Sequence, residues 1–309
     1  MSKTHVYDMI IVGGGPGGYT AAIYAASAGL DTLVLEKLSA GGQMALSEEI
    51  NNYPGFEEGV DGYTLAEKMQ RQAERFGART VYAEVERMEL AAEPKVLETS
   101  EGVFYARTVA LATGAGPREL GLADEAELVG RGVAYCAACD GMRYRGKTVV
   151  VVGGGNSAAG DALALSRIAE KVILVHRRDK LRATKAYDRP LSQAGNIEFR
   201  WNSAVVELLH GDKLSGVRLR DVNTGEETEL ACDGVFISVG RKPATELVKG
   251  QLELDAGGYV TADETTRTNL PGVYAVGDVR TKPLRQVVTA VADGAMAVHM
   301  AEEYLAGGA

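Results

Sequence analysis

The sequence predicts an α/β protein with two Rossmann-like domains, one inserted into the other. First, an apolar strand that runs into a cluster of glycines occurs twice, at residues 8–18 and 148–158. Second, each cluster is followed by a helix of small residues and another apolar strand, which is how a βαβ unit begins. Third, the segment after residue 243 is too short for an independent core of this kind, so we expect it to complete the first domain.

The expected domain boundaries follow from this nesting. The outer domain takes residues 1–115 and 244–309, and the inserted domain takes residues 116–243. In the outer domain, Thr64 and Glu67 are spaced as a capping box that opens a helix. Four further elements are predicted from apolar patterns and turn residues: a strand at 80–90, a helix at 286–305, and two strands of a meander at 205–209 and 216–222.

Composition narrows the class of protein. The 309-residue chain carries a net charge of −9, which argues against a nucleic-acid-binding surface. There is no run of about 18 apolar residues, so we expect no membrane span. The first residues lead directly into a strand pattern without the apolar region of a signal peptide, and a cytoplasmic protein is therefore expected. Three cysteines are too few for a disulfide scaffold.

The first glycine cluster fits the dinucleotide-binding fingerprint. Gly13 permits the tight turn, Gly15 lets the backbone approach a pyrophosphate, and Gly18 lets helix and strand pack closely. Glu36 ends the following strand, where a carboxylate can accept hydrogen bonds from the ribose hydroxyls of an adenosine. We therefore expect this loop to bind a dinucleotide that has no 2′-phosphate.

The second cluster has the same form but a different companion residue. It reads Gly153-x-Gly155, with an alanine that is acceptable at the third position. His176 stands where the first unit has its glutamate, and cationic residues next to this position suit the 2′-phosphate of NADP. Three arginines supply that charge: Arg177, Arg178 and Arg182.

Two different dinucleotides in one chain indicate FAD together with NADPH. Gly277-Asp278 follows an apolar strand in the third segment, and an aspartate there can hold the ribitol hydroxyls of a flavin. The helix that starts near Gln286 has its positive end available to stabilise a reduced flavin ring. These features place FAD in the outer domain and NADPH in the inserted domain.

A Cys-x-x-Cys pair precedes the second glycine cluster. A structural zinc site needs about four ligands, and no second such pair occurs beside Cys136 and Cys139. A redox dithiol that exchanges electrons with a flavin is the interpretation we favour. Asp140 is either an acid–base residue or a simple turn aspartate, and the sequence leaves both open. Cys232, within a strand pattern, is expected to be a buried apolar residue.

From residue 7 to residue 305 the chain closely resembles the bacterial-type, low-molecular-weight thioredoxin reductases, which are class II pyridine nucleotide-disulfide oxidoreductases. The placing of a CxxC-Asp-Gly motif before the second loop, and of His-Arg-Arg after it, is highly specific. Ala138 departs from the family pattern, where threonine is frequent, and Gly160-Asp161 replaces a more acidic pair. These departures leave the preference for the pyridine nucleotide slightly open.

The resemblance implies a homodimer with one FAD per subunit, in which electrons pass from NADPH through FAD and the Cys136–Cys139 dithiol to the disulfide of thioredoxin. In that family the residue matching Cys139 faces the flavin, the one matching Cys136 attacks thioredoxin, and the one matching Asp140 is the acid. Neither nucleic acid nor membrane is an expected partner. Further expected cofactor-binding residues in the matched stretches are Pro16, Gly42, Gln43, Asn52, Gly114, Asn156, Ser157, Arg285 and Gln286. Two more are expected next to Glu36 and Gln286, namely Lys37 and Val287.

Chain order also predicts a movement. The dithiol and the NADPH loop share the inserted domain, while FAD belongs to the outer one, and a dithiol buried against flavin cannot meet a protein disulfide. Rotation about the two crossings, near residues 114–117 and 240–243, would resolve this conflict. Two alternatives remain: a flavoprotein of the same fold that serves another thiol or peroxide-reducing partner, and a non-catalytic FAD/NADP sensor, which would not need the cysteines.

Overall fold

The computed structural model describes residues 5–47 and 49–307. The chain forms two compact units. Unit 1 consists of Met1–Gly116 and Lys242–Ala309, and unit 2 consists of Pro117–Arg241. Unit 2 is thus an insertion in the chain of unit 1, which has the nested order that the repeat predicts.

The elements follow one another in an α/β order. The strands are β1 (Val6–Val12), β2 (Thr32–Glu36), β3 (Arg79–Tyr82), β4 (Val85–Glu89), β5 (Lys95–Thr99), β6 (Gly102–Leu111), β7 (Ala115–Pro117), β8 (Val133–Ala134), β9 (Thr148–Val152), β10 (Lys171–Val175), β11 (Ile197–Arg200), β12 (Ser203–His210), β13 (Leu214–Asp221), β14 (Glu227–Ala231), β15 (Gly234–Ile237), β16 (Arg241–Pro243) and β17 (Val273–Ala275). The α-helices are α1 (Pro16–Ser27), α2 (Gly62–Arg75), α3 (Ala137–Asp140), α4 (Asn156–Ser166), α5 (Asp188–Gln193) and α6 (Val287–Leu305).

The main sheet of unit 1 has the strand order β3-β2-β1-β6-β5-β4, and β17 also pairs with β6. Strands β1, β2, β3, β6 and β17 are parallel, whereas β4, β5 and β6 pair antiparallel. Met9, Ile10 and Ile11 of β1 are fully buried, as expected of a parallel strand that is covered on both faces. The first glycine loop therefore begins directly after the carboxyl end of a buried strand.

Helices α1 and α6 approach each other closely in unit 1 because glycines face one another. A methyl group on Gly294 would collide with the carbonyl oxygen of Gly17 and lie 2.9 Å from the backbone nitrogen of Ala21. A methyl group on Gly17 would lie 2.6 Å from the Val276 side chain and 2.9 Å from the Ala290 carbonyl oxygen. The third segment of the chain is thereby packed directly against the helix that starts at the first loop.

Two local predictions for unit 1 are wrong. Helix α2 begins at Gly62 and not at the Thr64 capping box, because the Asp61 carboxylate accepts a hydrogen bond from the Thr64 nitrogen at 2.7 Å and caps the helix instead. The run 80–90 is not one strand: β3 pairs parallel with β2, whereas β4 pairs antiparallel with β5. An apolar run does not reveal such a change of partner.

Unit 2 contains a five-stranded parallel sheet with the order β11-β10-β9-β15-β8 and an antiparallel meander of β12, β13 and β14. The order β11-β10-β9-β15 corresponds to the 3-2-1-4 order of a Rossmann fold. The expected fold class, two Rossmann-like units with one inserted into the other, is confirmed. Among the described residues, no helix combines the length and apolarity that crossing a bilayer requires.

Candidate functional site

The first glycine loop joins β1 to α1 in a conformation that requires glycine. Gly13 has φ +105°, in the left-handed region that glycine adopts without strain. A methyl group on Gly18 would collide with the carbonyl oxygen of Gly13 and lie 3.2 Å from the Ala112 side chain. The loop and the first turn of α1 are therefore packed as closely as the fingerprint predicts.

The amino terminus of α1 has the features of an anion site. Gly15 is the N-cap and Pro16 the first helical residue, and no side chain caps the helix. A Cβ atom on Gly15 would have no neighbour within 4 Å, and one on Gly42 would lie 3.8 Å from the Gly15 Cα atom. Open space in front of uncapped N–H groups fits a pyrophosphate. Gln43 lies in the same short 3-10 helix as Gly42 and is exposed.

Glu36 lies at the side of this loop. Its carboxylate accepts hydrogen bonds from the Gly14 nitrogen at 2.5 Å and from the Lys37 nitrogen at 2.9 Å. The acid is thus fixed beside the loop, with remaining acceptor capacity for a ribose. The Lys37 ammonium is paired with Glu84 at 2.6 Å on the surface, so this lysine is already engaged.

Two expected flavin-site residues from distant parts of unit 1 are in contact. The Asn52 amide nitrogen donates to the Gln286 side-chain oxygen at 2.8 Å. Gln286 caps α6 in a reciprocal capping box with Thr289, and Val287 is the first helical residue. The capping box holds the amide of Gln286 at the start of α6, which is the end of the helix that the sequence predicts to lie near the flavin.

Arg285 connects the turn at Gly277-Asp278 to the start of α6. Its guanidinium donates to the carbonyl oxygens of Asp278 at 3.3 Å and Arg280 at 3.2 Å, and it lies 3.9 Å from the centre of the Tyr259 ring. Gly114 lies at the carboxyl end of β6 with φ +71°, and its carbonyl oxygen accepts a hydrogen bond from the Ala244 nitrogen.

The second glycine loop, in unit 2, also joins a strand to a helix with a glycine at its N-cap. Gly153 has φ +153°, and a methyl group there would collide with the carbonyl oxygen of Ser238. Gly155 is the N-cap of α4, without a capping side chain and with open space around its Cα atom. Asn156 and Ser157, which begin α4, are exposed, and the Asn156 side-chain oxygen accepts a hydrogen bond from the Thr184 nitrogen at 2.8 Å.

His176 does not lie on the surface with the arginines that follow it. It is 4% exposed, its ring packs so closely on Gly154 that a methyl group there would collide with it, and its Nε2 atom has no hydrogen-bond partner. Burial, aided by the positive charges of Arg182, Arg178 and Arg177, lowers the pKa of His176. A neutral ring with one unpartnered polar atom beside a phosphate loop fits a bound nucleotide.

The three arginines lie on a backbone that is held in place. The Arg182 nitrogen donates to the Gly154 carbonyl oxygen at 2.6 Å, and the Arg178 carbonyl oxygen accepts from the Asn202 nitrogen at 3.1 Å. The side chains of Arg177, Arg178 and Arg182 are exposed, and within residues 5–47 and 49–307 no carboxylate lies at ion-pair distance from them. Unneutralised guanidinium groups next to the second loop fit a 2′-phosphate.

The cysteine pair of unit 2 is oxidised. Cys136 and Cys139 form a disulfide with a Cα–Cα distance of 5.3 Å. Cys136 is the N-cap of the short helix α3, and its carbonyl oxygen accepts hydrogen bonds from the Cys139 and Asp140 nitrogens at 3.2 and 3.0 Å. Both cysteines and Asp140, the last residue of α3, are half-buried, whereas Ala138 is exposed. An accessible disulfide in a tight turn can undergo thiol–disulfide exchange.

Comparison with known proteins identifies the family. The model of the family "Pyridine nucleotide-disulphide oxidoreductase" matches residues 7–294. The chain belongs to this family. It is 46% identical over 304 residues to a thioredoxin reductase of Streptomyces clavuligerus, covering 97% of this chain and 94% of the relative. It is 44% identical over 299 residues to that of Treponema pallidum, covering 97% of each.

A solved structure agrees with these relatives. The thioredoxin reductase of Streptococcus pyogenes superposes with a TM-score of 0.90 at 42% identity, covering 98% of this chain and 99% of that one. The resemblance to bacterial-type thioredoxin reductases that the motifs indicate is therefore confirmed.

Sequence reasoning missed a buried charge cluster next to Gly277. Asp293 on α6 accepts hydrogen bonds from the Gly277 nitrogen at 2.8 Å, from Arg280 at 2.8 and 2.9 Å, and from Lys282 at 2.6 Å. Burial by itself would raise the pKa of Asp293, but the bonds from Arg280 and Lys282 outweigh it and lower the pKa. A charged residue among the apolar and small residues of the first part of α6 was the available signal.

Unit 2 contains two buried groups whose pKa is raised by burial, Asp161 and Cys232. Asp161 on α4 accepts a hydrogen bond from the Ser238 hydroxyl at 2.5 Å, and burial raises the pKa of this carboxyl. Cys232 is buried, and burial raises the pKa of its thiol to about 12. Its burial confirms the expectation of a buried residue, and a thiol that stays protonated at neutral pH is a poor nucleophile. Within the described residues, no group of three His, Cys, Asp or Glu side chains could hold a metal.

Proposed function

We propose that this chain is an NADPH-dependent flavoprotein that reduces the disulfide of thioredoxin. The observation that carries the proposal is the Cys136–Cys139 disulfide in a chain with two glycine loops of different chemistry. A sensor that binds both nucleotides has no use for this disulfide. The relatives in sequence and structure are thioredoxin reductases, which supports the choice of thioredoxin over another disulfide partner.

FAD is assigned to the outer domain, residues 1–115 and 244–309. The uncapped start of α1 fits its pyrophosphate and Glu36 its ribose. Gly277 and Asp278 follow β17. Beside the start of α6 in the same unit, Asn52 is hydrogen-bonded to Gln286, and Arg285 is hydrogen-bonded to the Asp278 carbonyl oxygen. The other residues assigned to this site are Gly13, Gly15, Pro16, Gly18, Lys37, Gly42, Gln43, Gly114 and Val287.

NADPH is assigned to the inserted domain, residues 116–243. Gly153 and Gly155 allow a phosphate to approach the start of α4, where Asn156 and Ser157 are exposed. The guanidinium groups of Arg177, Arg178 and Arg182 are proposed to bind the 2′-phosphate, and the unpartnered Nε2 atom of His176 to meet the adjacent ribose. Because its pKa is lowered, His176 is neutral at neutral pH and can serve as donor or acceptor.

When bound, the two cofactors supply hydride transfer and a two-electron reduction of the chain's own disulfide. The residues of the chain then carry out the exchange. The Cys136 thiolate attacks one sulfur of the thioredoxin disulfide, and the other thioredoxin sulfur leaves as a thiolate. The Cys139 thiolate displaces thioredoxin from the mixed disulfide, which re-forms the Cys136–Cys139 bond and releases the second thioredoxin thiolate. Asp140 is assigned as the acid that protonates the departing thiolate.

Three further features belong to the same proposal. We propose a homodimer, as the resemblance implies, and a cytoplasmic location for this chain. We also propose that the inserted domain rotates about the crossings near residues 114–117 and 240–243, so that the dithiol alternates between the flavin and thioredoxin. The two crossings contain β7 and β16, which pair as a two-stranded sheet.

The test is anaerobic turnover of oxidised thioredoxin with NADPH, with NADH and reduced ferredoxin as parallel donors. Wild-type protein should turn over with NADPH, whereas Cys136→Ser and Cys139→Ser should each abolish turnover and still bind FAD and bleach with NADPH. The matched control is Cys232→Ser, which lies outside the exchange and should retain turnover. Turnover of thioredoxin by either variant of the pair would refute the dithiol mechanism.

A further inference from the structure

A buried carboxylate in unit 2 is satisfied by four hydrogen bonds. Glu125 is 3% exposed. It accepts from the nitrogens of Leu120 at 3.0 Å, Gly121 at 2.9 Å and Leu122 at 3.1 Å, and from the Tyr135 hydroxyl at 2.8 Å. In the described part of the chain, no cationic side chain lies at ion-pair distance from Glu125. Its two side-chain oxygens are therefore satisfied by these four donors.

The four donors lie in two separate segments of unit 2. Leu120–Leu122 lie just after Pro117, where unit 2 begins. Tyr135 follows the buried strand β8 and immediately precedes Cys136, the first residue of the disulfide. Glu125 thus connects the entry of the chain into unit 2 with the backbone that carries the exchanging cysteine.

The phenol is suited to this connection. Burial and the hydrogen bond to Glu125 both raise the pKa of Tyr135, so the hydroxyl remains protonated and donates throughout the physiological range. The ring of Tyr135 packs on the apolar cluster that contains Leu128, Val133 and Val235. Tyr135→Phe keeps this packing and deletes only the hydrogen bond, so its effect reports on the bond and not on the packing of unit 2.

We propose that Glu125 and Tyr135 are positioning residues for the dithiol. The bond holds the backbone at Cys136, which keeps the Cys136 and Cys139 sulfurs close to each other after reduction and so raises their effective concentration. Loss of the bond favours the separated thiols, and the disulfide becomes easier to reduce. This role rests on the proposed use of the cysteine pair as an exchange site.

The experiment measures the equilibrium between dithiol and disulfide in the FAD-loaded full-length protein. The protein is incubated in glutathione buffers of defined ratio, quenched with an alkylating agent and analysed by mass spectrometry of the Cys136–Cys139 peptide. Tyr135→Phe should shift the equilibrium constant about tenfold toward the dithiol, a rise in midpoint potential of about 30 mV. Tyr304→Phe is the matched control, because it deletes a tyrosine–glutamate hydrogen bond, to Glu93, in unit 1. Its potential should equal that of the wild type.

Glu125→Gln provides a second variant. It keeps the size of the side chain but places an amide group among the N–H donors, so a larger shift in the same direction is expected. A wild-type potential in Tyr135→Phe would overturn the proposal, as would an equal shift in Tyr304→Phe. The potential does not depend on the partner: if wild-type protein fails to reduce thioredoxin, the proposed function fails while the potentials still decide the positioning role.

Discussion

The two glycine loops both join a strand to a helix with a glycine N-cap, but they differ in the side chain that packs beside them. In unit 1, the Gly14 nitrogen donates a hydrogen bond to the Glu36 carboxylate. In unit 2, the ring of His176 packs on the equivalent residue, Gly154. The acid remains available for a ribose, whereas the histidine is buried and leaves the outer positions to arginines. In the proposed binding mode, the two loops therefore differ in what faces the adenosine ribose: a carboxylate in unit 1, and a buried histidine followed by exposed arginines in unit 2.

The loops also differ at their third position. A methyl group on Gly18 would collide with Gly13, but the corresponding Ala158 of unit 2 is accommodated and fully buried. The first turn of α1 is also covered by α6, where Gly17 lies against Ala290. The loop of unit 1 is consequently the more tightly constrained of the two, and its substitutions should cost more.

The largest effect is expected at the buried charge cluster of Asp293, Arg280 and Lys282 in unit 1. Asp293→Asn leaves Arg280 and Lys282 buried without a carboxylate, and breaking a buried pair in this way typically costs about 3–5 kcal/mol. Urea unfolding monitored by circular dichroism measures the loss. Glu303→Gln, which breaks an exposed pair with Arg267, is the control and should cost less than about 1 kcal/mol. Equal losses in the two variants would contradict this account of the cluster.

The lowered pKa of Asp293 sets the pH range of this contribution. The unfolded carboxyl titrates near pH 3.9, and the folded one titrates below that. The stabilisation is therefore present above about pH 4 and is lost as the pH falls through the folded pKa. Unfolding free energies of the wild type and Asp293→Asn should converge in acid and differ at neutral pH.

The next effect compares the third positions directly. Gly18→Ala should destabilise the protein by about 3 kcal/mol and lower its FAD content, because the added methyl group has no space against Gly13. Ala158→Gly, the reverse change in unit 2, should cost only about 1 kcal/mol through helix propensity. Thermal unfolding and flavin absorbance measure both. A Gly18→Ala protein with full flavin and wild-type stability would show that the loop is not constrained as described.

The cofactor comparison comes third. Arg177→Ala or Arg178→Ala removes a charge-assisted contact worth about 1.5–3 kcal/mol, so KM for NADPH should rise roughly ten- to hundredfold. KM for NADH should barely change because it has no 2′-phosphate, and kcat should change little. Steady-state kinetics with both nucleotides check this. Equal losses with NADPH and NADH would mean that the arginines support the fold, and a wild type that prefers NADH would remove the assignment.

The smallest effect concerns His176. In the folded protein its pKa is lowered, while the unfolded residue binds a proton near pH 6.5. The unfolded state therefore binds more protons in this range, and stability falls as the pH drops below about 6.5. His176→Phe keeps a ring against Gly154 without a titrating group, so its unfolding free energy should fall less between pH 7 and pH 5, a range chosen around the pKa in the unfolded state. Identical pH profiles would contradict the buried, neutral histidine.

The sequence predicts the parts of the molecule that depend on local pattern. Glycine spacing and apolar strands revealed both loops, and the cysteine spacing revealed the disulfide. The burial of His176 could not be predicted, because its position in sequence matches Glu36 and only packing against Gly154 distinguishes the two. Asp293 and Glu125 were missed for a related reason: each is satisfied by partners brought together by the fold, so neither carries a local motif.

The central claim is that NADPH reduces the chain's own disulfide, and counting thiols tests it directly. Purified protein is treated with NADPH without oxygen, denatured and alkylated, so that the buried Cys232 also reacts. Before NADPH the count should be one thiol per chain, from Cys232, since Cys136 and Cys139 are bonded. After NADPH all three cysteines should be alkylated, with bleaching of the flavin absorbance. A count that stays at one, with or without bleaching, would contradict the account.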